Sequence, residues 1–91
     1  MNDFEWAADT RVINETGDAF TLVYYISVTG GLYGLKVEKR GKNGQLIETE
    51  TTPAFTASHE EAARLARLFA KNSVPPCTLL EMTDEVAIQC V

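Results

Sequence analysis

The stretch that decides the fold is Phe20-Thr21-Leu22-Val23-Tyr24-Tyr25-Ile26-Ser27-Val28-Thr29-Gly30-Gly31-Leu32-Tyr33-Gly34-Leu35-Lys36-Val37. Phe20, Leu22, Tyr24, Ile26 and Val28 alternate with Thr21, Val23, Tyr25 and Ser27, the two-residue period of a strand with one buried face. Gly30-Gly31 adopts at no steric cost the positive φ that a primed two-residue turn requires. With those glycines as the turn, Val28 falls opposite Tyr33, Ile26 opposite Leu35 and Tyr24 opposite Val37. Three apolar pairs then share one face, and a one-residue slip would scatter them. The stretch is predicted to be a β-hairpin.

A second reversal follows at Gly41-Lys42-Asn43-Gly44. A three-residue loop with Gly44 in the left-handed position pairs Lys39 with Ile47, Val37 with Thr49 and Leu35 with Thr51. A strict two-residue Asn-Gly turn would set Glu50 against Val37 and put a carboxylate on the core face, so the three-residue loop is preferred. Leu46 to Thr52 is then the fourth strand, ended by Pro53, with Phe55 returning to the core. On this reading Glu48 and Glu50 lie on the solvated face with Thr21, Lys36 and Glu38.

Upstream, Thr10 to Asn14 reads as the first strand, closed by Glu15-Thr16-Gly17-Asp18. The alternation of Phe4, Trp6 and Ala8 extends the pattern toward the amino end. Downstream, Ser58-His59-Glu60-Glu61 has the capping-box form and opens a helix from His59 to about Ser73. Ala62, Leu65, Ala66 and Phe69 form its apolar stripe, widened by Leu68, and Glu60 and Arg64 are an i,i+4 pair. Val74-Pro75-Pro76 stops it. Thr78-Leu79-Leu80-Glu81 repeats the capping-box form, predicting a short helix to about Glu85. Beyond it Val86, Ile88 and Cys90 alternate as in a strand while Leu79, Met82, Val86 and Cys90 fit a continued helix, and an extended tail is preferred.

The 91 residues carry 8 Lys+Arg against 13 Asp+Glu, a net charge of −5, with 45% hydrophobic residues. That composition suits one α+β domain over residues 1–91 and argues against wholesale disorder. The longest uncharged stretch, Ala19 to Leu35, is broken by polar residues and glycines and is no membrane helix. The acidic start Met1-Asn2-Asp3-Phe4-Glu5 is unlike a signal peptide, so a cytoplasmic setting without a membrane is expected. The cations Lys36, Lys39, Arg40 and Lys42 are diluted by Glu38 in an acidic chain, which disfavours nucleic-acid binding.

Few residues are equipped for catalysis. His59, Cys77 and Cys90 are too few for a structural zinc site, and in this setting both thiols are expected to be reduced. A His59–Cys77 dyad is disfavoured because the long helix separates them by about 20 Å or more at 1.5 Å per residue. Gly30-Gly31-Leu32-Tyr33-Gly34 leads into a strand, whereas phosphate-cradling loops lead into a helix, and Gly34 is read as relieving crowding opposite Ser27. No catalytic residue, metal or cofactor is expected. The surplus is an apolar set on the second sheet face, Val23, Tyr25, Leu46 and Trp6, with Leu32 able to join it.

Leu32-Tyr33-Gly34-Leu35-Lys36-Val37-Glu38-Lys39, the Leu65 and Leu68 pattern, and Val74-Pro75-Pro76 followed by Leu79, Glu81, Met82 and Asp84 resemble a domain-of-unknown-function family of short bacterial proteins. The resemblance implies architecture and a bacterial cytoplasmic setting, and it transfers no site.

The sequence therefore predicts an α+β fold: a four-stranded antiparallel meander with one long helix on one face and a short C-terminal helix or extended tail. It is expected to act as a non-enzymatic protein-interaction or regulatory module, meeting a second copy or a protein partner through the open sheet face. The alternative is a small-molecule-binding or enzymatic domain with a pocket between sheet and helix near Tyr24, Tyr33 and Cys77.

Overall fold

A computed structural model of the chain describes residues 3–13 and 15–76. Strands β1 (Asp3–Ile13), β2 (Ala19–Thr29), β3 (Leu32–Gly41) and β4 (Leu46–Thr51) form one antiparallel sheet in the order β1-β2-β3-β4. Helix α1 (His59–Lys71) packs over β1, β2 and β3. The expected short C-terminal helix and tail, and Cys77 and Cys90, lie outside the described residues.

The central hairpin has the predicted register. Tyr24 faces Val37, Ile26 faces Leu35 and Val28 faces Tyr33, and both turn glycines have positive φ, 57° at Gly30 and 81° at Gly31. The side chains of Leu22, Tyr24, Ile26, Leu35 and Val37 meet Ala62, Leu65, Ala66 and Phe69 of α1 in the core, with Phe55 packed against them. The Tyr24 hydroxyl donates to the Val74 carbonyl at 2.9 Å, so the one polar atom of that buried ring is satisfied.

β1 starts at Asp3, seven residues before Thr10, so the strand extends toward the amino end as the alternation suggested, but Ala8 falls on the opposite face from Phe4 and Trp6. A bulge between Trp6 and Ala8 shifts its register on β2. Before the bulge, Phe4 and Trp6 share the face of Ser27 and Tyr25; after it, Ala8, Thr10 and Val12 face the core side.

The β3–β4 pairing corrects the sequence reading. The loop is the expected three-residue one: Gly44 has φ 82°, the Gly41 amide donates to the Gln45 carbonyl, and Arg40 faces Leu46. A bulge at Ile47 then moves the rest of the strand by one residue, so Lys39 faces Glu48, Val37 faces Glu50 and Lys36 faces Thr51. Glu48 and Glu50 therefore lie on the helix side, not with Thr21, Lys36 and Glu38. The desolvation cost argued against this register is small because β4 is an edge strand. Glu50 stays half-exposed, and its carboxylate accepts from the Thr51 amide at 3.2 Å. The shift also sets Glu48 opposite Lys39, a favourable cross-strand charge pairing.

Past β4, the Leu35 and Thr52 backbones stay joined, and the Leu35 amide also donates to the buried Thr52 hydroxyl. A Cβ at Gly34 would lie 2.8 Å from Ser27 Oγ, 2.9 Å from the Pro53 carbonyl oxygen and 2.9 Å from Thr52 Oγ1. This is the crowding the sequence suggested. Gly34→Ala is expected to destabilise the fold by about 1–3 kcal/mol through overpacking against backbone, read as a lower urea midpoint with an unchanged slope.

Ser58 caps α1 by accepting from the Glu61 amide at 3.2 Å. The second arm of the capping box is replaced: the Ser58 amide donates to the Thr56 hydroxyl, and the Glu61 carboxylate pairs with Arg64. Arg64 is thus held at i,i+3, rather than only at the i,i+4 spacing expected from Glu60. The helix stops at Lys71, two residues before the expected Ser73, because Ser73 takes a positive φ of 52° ahead of Val74-Pro75.

Candidate interaction surface

β-Pleating gives the face away from α1 its composition. Residues of β2 at odd positions, Thr21, Val23, Tyr25 and Ser27, project there with their cross-strand partners Arg40, Glu38, Lys36 and Gly34 from β3. β1 adds Phe4 opposite Ser27 and Trp6 opposite Tyr25. Among the described residues no element covers this face.

Trp6 is 58% exposed and Phe4 43% exposed. Lys36 stands between them and the centre of the sheet, its Nζ 4.4 Å from the centroid of the Phe4 ring and 5.7 Å from that of Tyr25. Leu32, also exposed, lies toward the same end of the face, opposite Thr29. Two aromatic rings and a cation whose stem lies along apolar surface make a contact-competent cluster.

Beside it sits Glu38, only 6% exposed although the sequence placed it on a wet surface. Its carboxylate accepts from Arg40 Nε at 3.1 Å and Nη2 at 2.9 Å and lies 3.4 Å from Lys36 Nζ. The Tyr25 hydroxyl is hydrogen-bonded to it as well. Burial pushes the Glu38 carboxyl up, but Arg40, Lys36 and the Tyr25 hydrogen bond outweigh that and hold it below the usual carboxylate range. The Tyr25 phenol is pushed up by burial and by the neighbouring Glu38 charge, partly offset by Arg40. Glu38 thereby engages two of the four clustered cations.

The basic cluster does not form one surface. Lys36 and Arg40 point away from α1, while Lys39 lies on the helix side with its Nζ 4.4 Å from the centroid of the Phe20 ring. Lys42, in the β3–β4 loop, helps line a surface depression of about 240 Å³ with Arg11, Ala19, Phe20 and Thr21.

Of the four residues expected to form a patch, the structure brings Trp6 and Tyr25 together as direct cross-strand neighbours. Val23 is half-buried between Asp9 and Glu38. Leu46 shares the face, opposite Arg40, but lies four residues along the strands and three strands across from Trp6, about 20 Å away at ordinary sheet spacings. It belongs to a different region, separated by the Glu38 cluster. Phe4 is the residue the patch reading missed. Its signal was the alternation with Trp6, legible once the first strand is carried to Asp3.

His59 is exposed in the first turn of α1. Its Nε2 is 2.7 Å from Glu5 Oε2, and its ring packs edge-on against Tyr33. This contact ties the amino end of α1 to β1. Among the described residues no group of three or more His, Cys, Asp or Glu is placed to hold a metal ion, and no helix is long and apolar enough to cross a membrane.

A protein-family model, DUF6514, described as a family of unknown function, matches residues 5–89. No curated protein and no solved structure matches the chain.

Proposed function

The chain belongs to this family of unknown function, whose description carries no activity to transfer, and we propose from the surface itself that it is a non-enzymatic interaction module. Its contact surface is the Phe4–Trp6–Tyr25–Lys36 end of the face opposite α1. The observation that carries this is Trp6, a large aromatic side chain 58% exposed beside a second exposed aromatic on an uncovered sheet face. Exposed aromatic clusters of this kind are the usual anchors of protein contacts.

The partner is a protein surface that presents Lys or Arg beside apolar side chains. The chain carries a net −5, Lys36 and Arg40 on this face are already engaged by Glu38, and the exposed Trp6 ring offers its face to a cation. A basic partner side chain would meet the Trp6 ring at the centre of the patch, within the field of an acidic chain.

Site-specific photo-cross-linking in the producing cells tests this, with the photoreactive residue replacing Trp6 in one form and Leu68, exposed on α1, in the other. A discrete adduct to another protein is expected at position 6, suppressed by roughly tenfold or more by Phe4→Glu, with none at position 68. Equal labelling at both positions, no protein adduct at position 6, or an adduct only of two copies of this chain would overturn the proposal.

A further inference from the structure

β1 is an edge strand of 11 residues, and among the described residues nothing pairs with its outer side. Its two halves differ. The first half is guarded in the ways natural edges are guarded, with Asp3, Glu5 and the bulge at Ala7. The second half, Ala8-Asp9-Thr10-Arg11-Val12-Ile13, is regular, carries one charge of each sign instead of two carboxylates, and ends in Ile13, 66% exposed.

We infer that this half-strand pairs antiparallel with the same strand of a second copy, about a twofold axis at Thr10. The charge pattern selects that register. Ala8, Thr10 and Val12 share the helix side, and Asp9, Arg11 and Ile13 the other side. With a twofold axis perpendicular to the sheet, matching faces must meet, so the axis passes through a residue. Centring on Asp9 sets Asp9 against its own copy, and centring on Arg11 sets Arg11 against its own copy. Centring on Thr10 sets Asp9 opposite Arg11 of the second copy and Arg11 opposite Asp9 of the second copy, with Thr10 opposite Thr10 and Ala8 opposite Val12.

Opposite charges and paired threonines are favourable cross-strand neighbours, and like charges are not. Neither Asp9 nor Arg11 has an ion-pair partner among the described residues, so the pairing displaces none of those bridges. The backbone ladder closes in this register whichever way the Thr10 amide points. If outward, the two Thr10 residues exchange hydrogen bonds; if inward, Asp9 and Arg11 of the second copy exchange them.

The product is a continuous eight-stranded sheet with both α1 helices on one side. Both Phe4–Trp6 clusters lie on the other, the two Trp6 positions about 20 Å apart along the strands. The edge contact does not use the aromatic cluster, so it stands or falls separately from the proposed partner surface.

The test is sedimentation equilibrium of the full chain and its variants, with circular dichroism confirming the fold of each. The wild-type chain and Trp6→Ala are expected to be dimers. Arg11→Asp and Asp9→Arg each set like charges opposite at two symmetric positions and are expected to weaken the dimer at least about tenfold. The double swap Asp9→Arg with Arg11→Asp restores the pairing and is expected to restore the dimer. A monomeric wild-type chain overturns the inference, whether the edge is free or taken by residues 77–91. So does a swap that fails to rescue, or a dimer lost with Trp6→Ala alone, which would move the contact to the sheet face.

Discussion

Phe69→Ala is expected to cost about 3–5 kcal/mol, the largest single effect in the molecule. Phe69 is 1% exposed at the centre of the α1 stripe, between the helix and the hydrophobic side of the sheet. Removing the ring leaves a cavity that Ala62, Ala66 and Ala70 are too short to fill, and the sheet backbone is too constrained to collapse into it. In a domain of this size the total margin is about 5–15 kcal/mol, so the variant keeps only part of its stability. Thermal melting checks it, with an expected fall in Tm of about 4–8 °C per kcal/mol. Leu68→Ala, one residue earlier on the exposed side of the same helix, is the internal comparison. It is expected to stay within about 0.5 kcal/mol of the parent, and equal losses at both positions would contradict the packing described.

Glu38→Ala is the second large effect, expected at about 2–3 kcal/mol. The substitution leaves Arg40, Lys36 and the Tyr25 hydroxyl facing one another around a vacated carboxylate site. The loss falls short of a fully buried broken pair because the Arg40 and Lys36 side chains remain partly exposed and can rehydrate. The pH dependence separates the charge from the packing. The folded-state pKa of Glu38 lies below its unfolded value, so its ionic contribution is fully present above the usual carboxylate range of about 4.3. It is lost as pH falls through the lower, folded-state value. The stability gap between the parent and Glu38→Gln should therefore be constant near neutrality and close in acid. A gap that widens on acidification would reverse the sign and contradict the cluster as described.

The parts of this fold legible in the sequence are those where one physical signal acts alone. Gly30-Gly31 demands its turn, and the three apolar pairs across it admit one register. Ser58 marks the start of α1 because few residues cap a helix well. The register of β4 was misread because two signals competed. The loop chemistry of Gly44 fixes the first pair, Arg40 with Leu46, while the bulge at Ile47 fixes the rest. Nothing in the local sequence announces that bulge. Its consequence, Glu50 opposite Val37, was rejected on a desolvation argument that applies to a central strand and not to an edge.

The surface was legible in composition and not in arrangement. Period-2 alternation put Trp6, Val23, Tyr25 and Leu46 on one face, and they are there. It does not report how far apart they lie across strands, and Leu46 falls with Arg40 at the distant end. Nor does alternation reveal that Glu38, on the same face, is buried by the side chains beside it. That follows from Lys36, Arg40 and Tyr25 converging on one carboxylate, a three-dimensional fact with no linear motif.

Trp6 is the only tryptophan in the chain, so its fluorescence reports on the proposed contact surface without any labelling. In the purified protein under native conditions, Trp6 should emit with the red-shifted maximum of a solvent-exposed indole. It should be quenched by acrylamide almost as readily as in the urea-unfolded chain. A blue-shifted emission protected from acrylamide in the isolated protein would mean that this face is already covered, and would contradict the account.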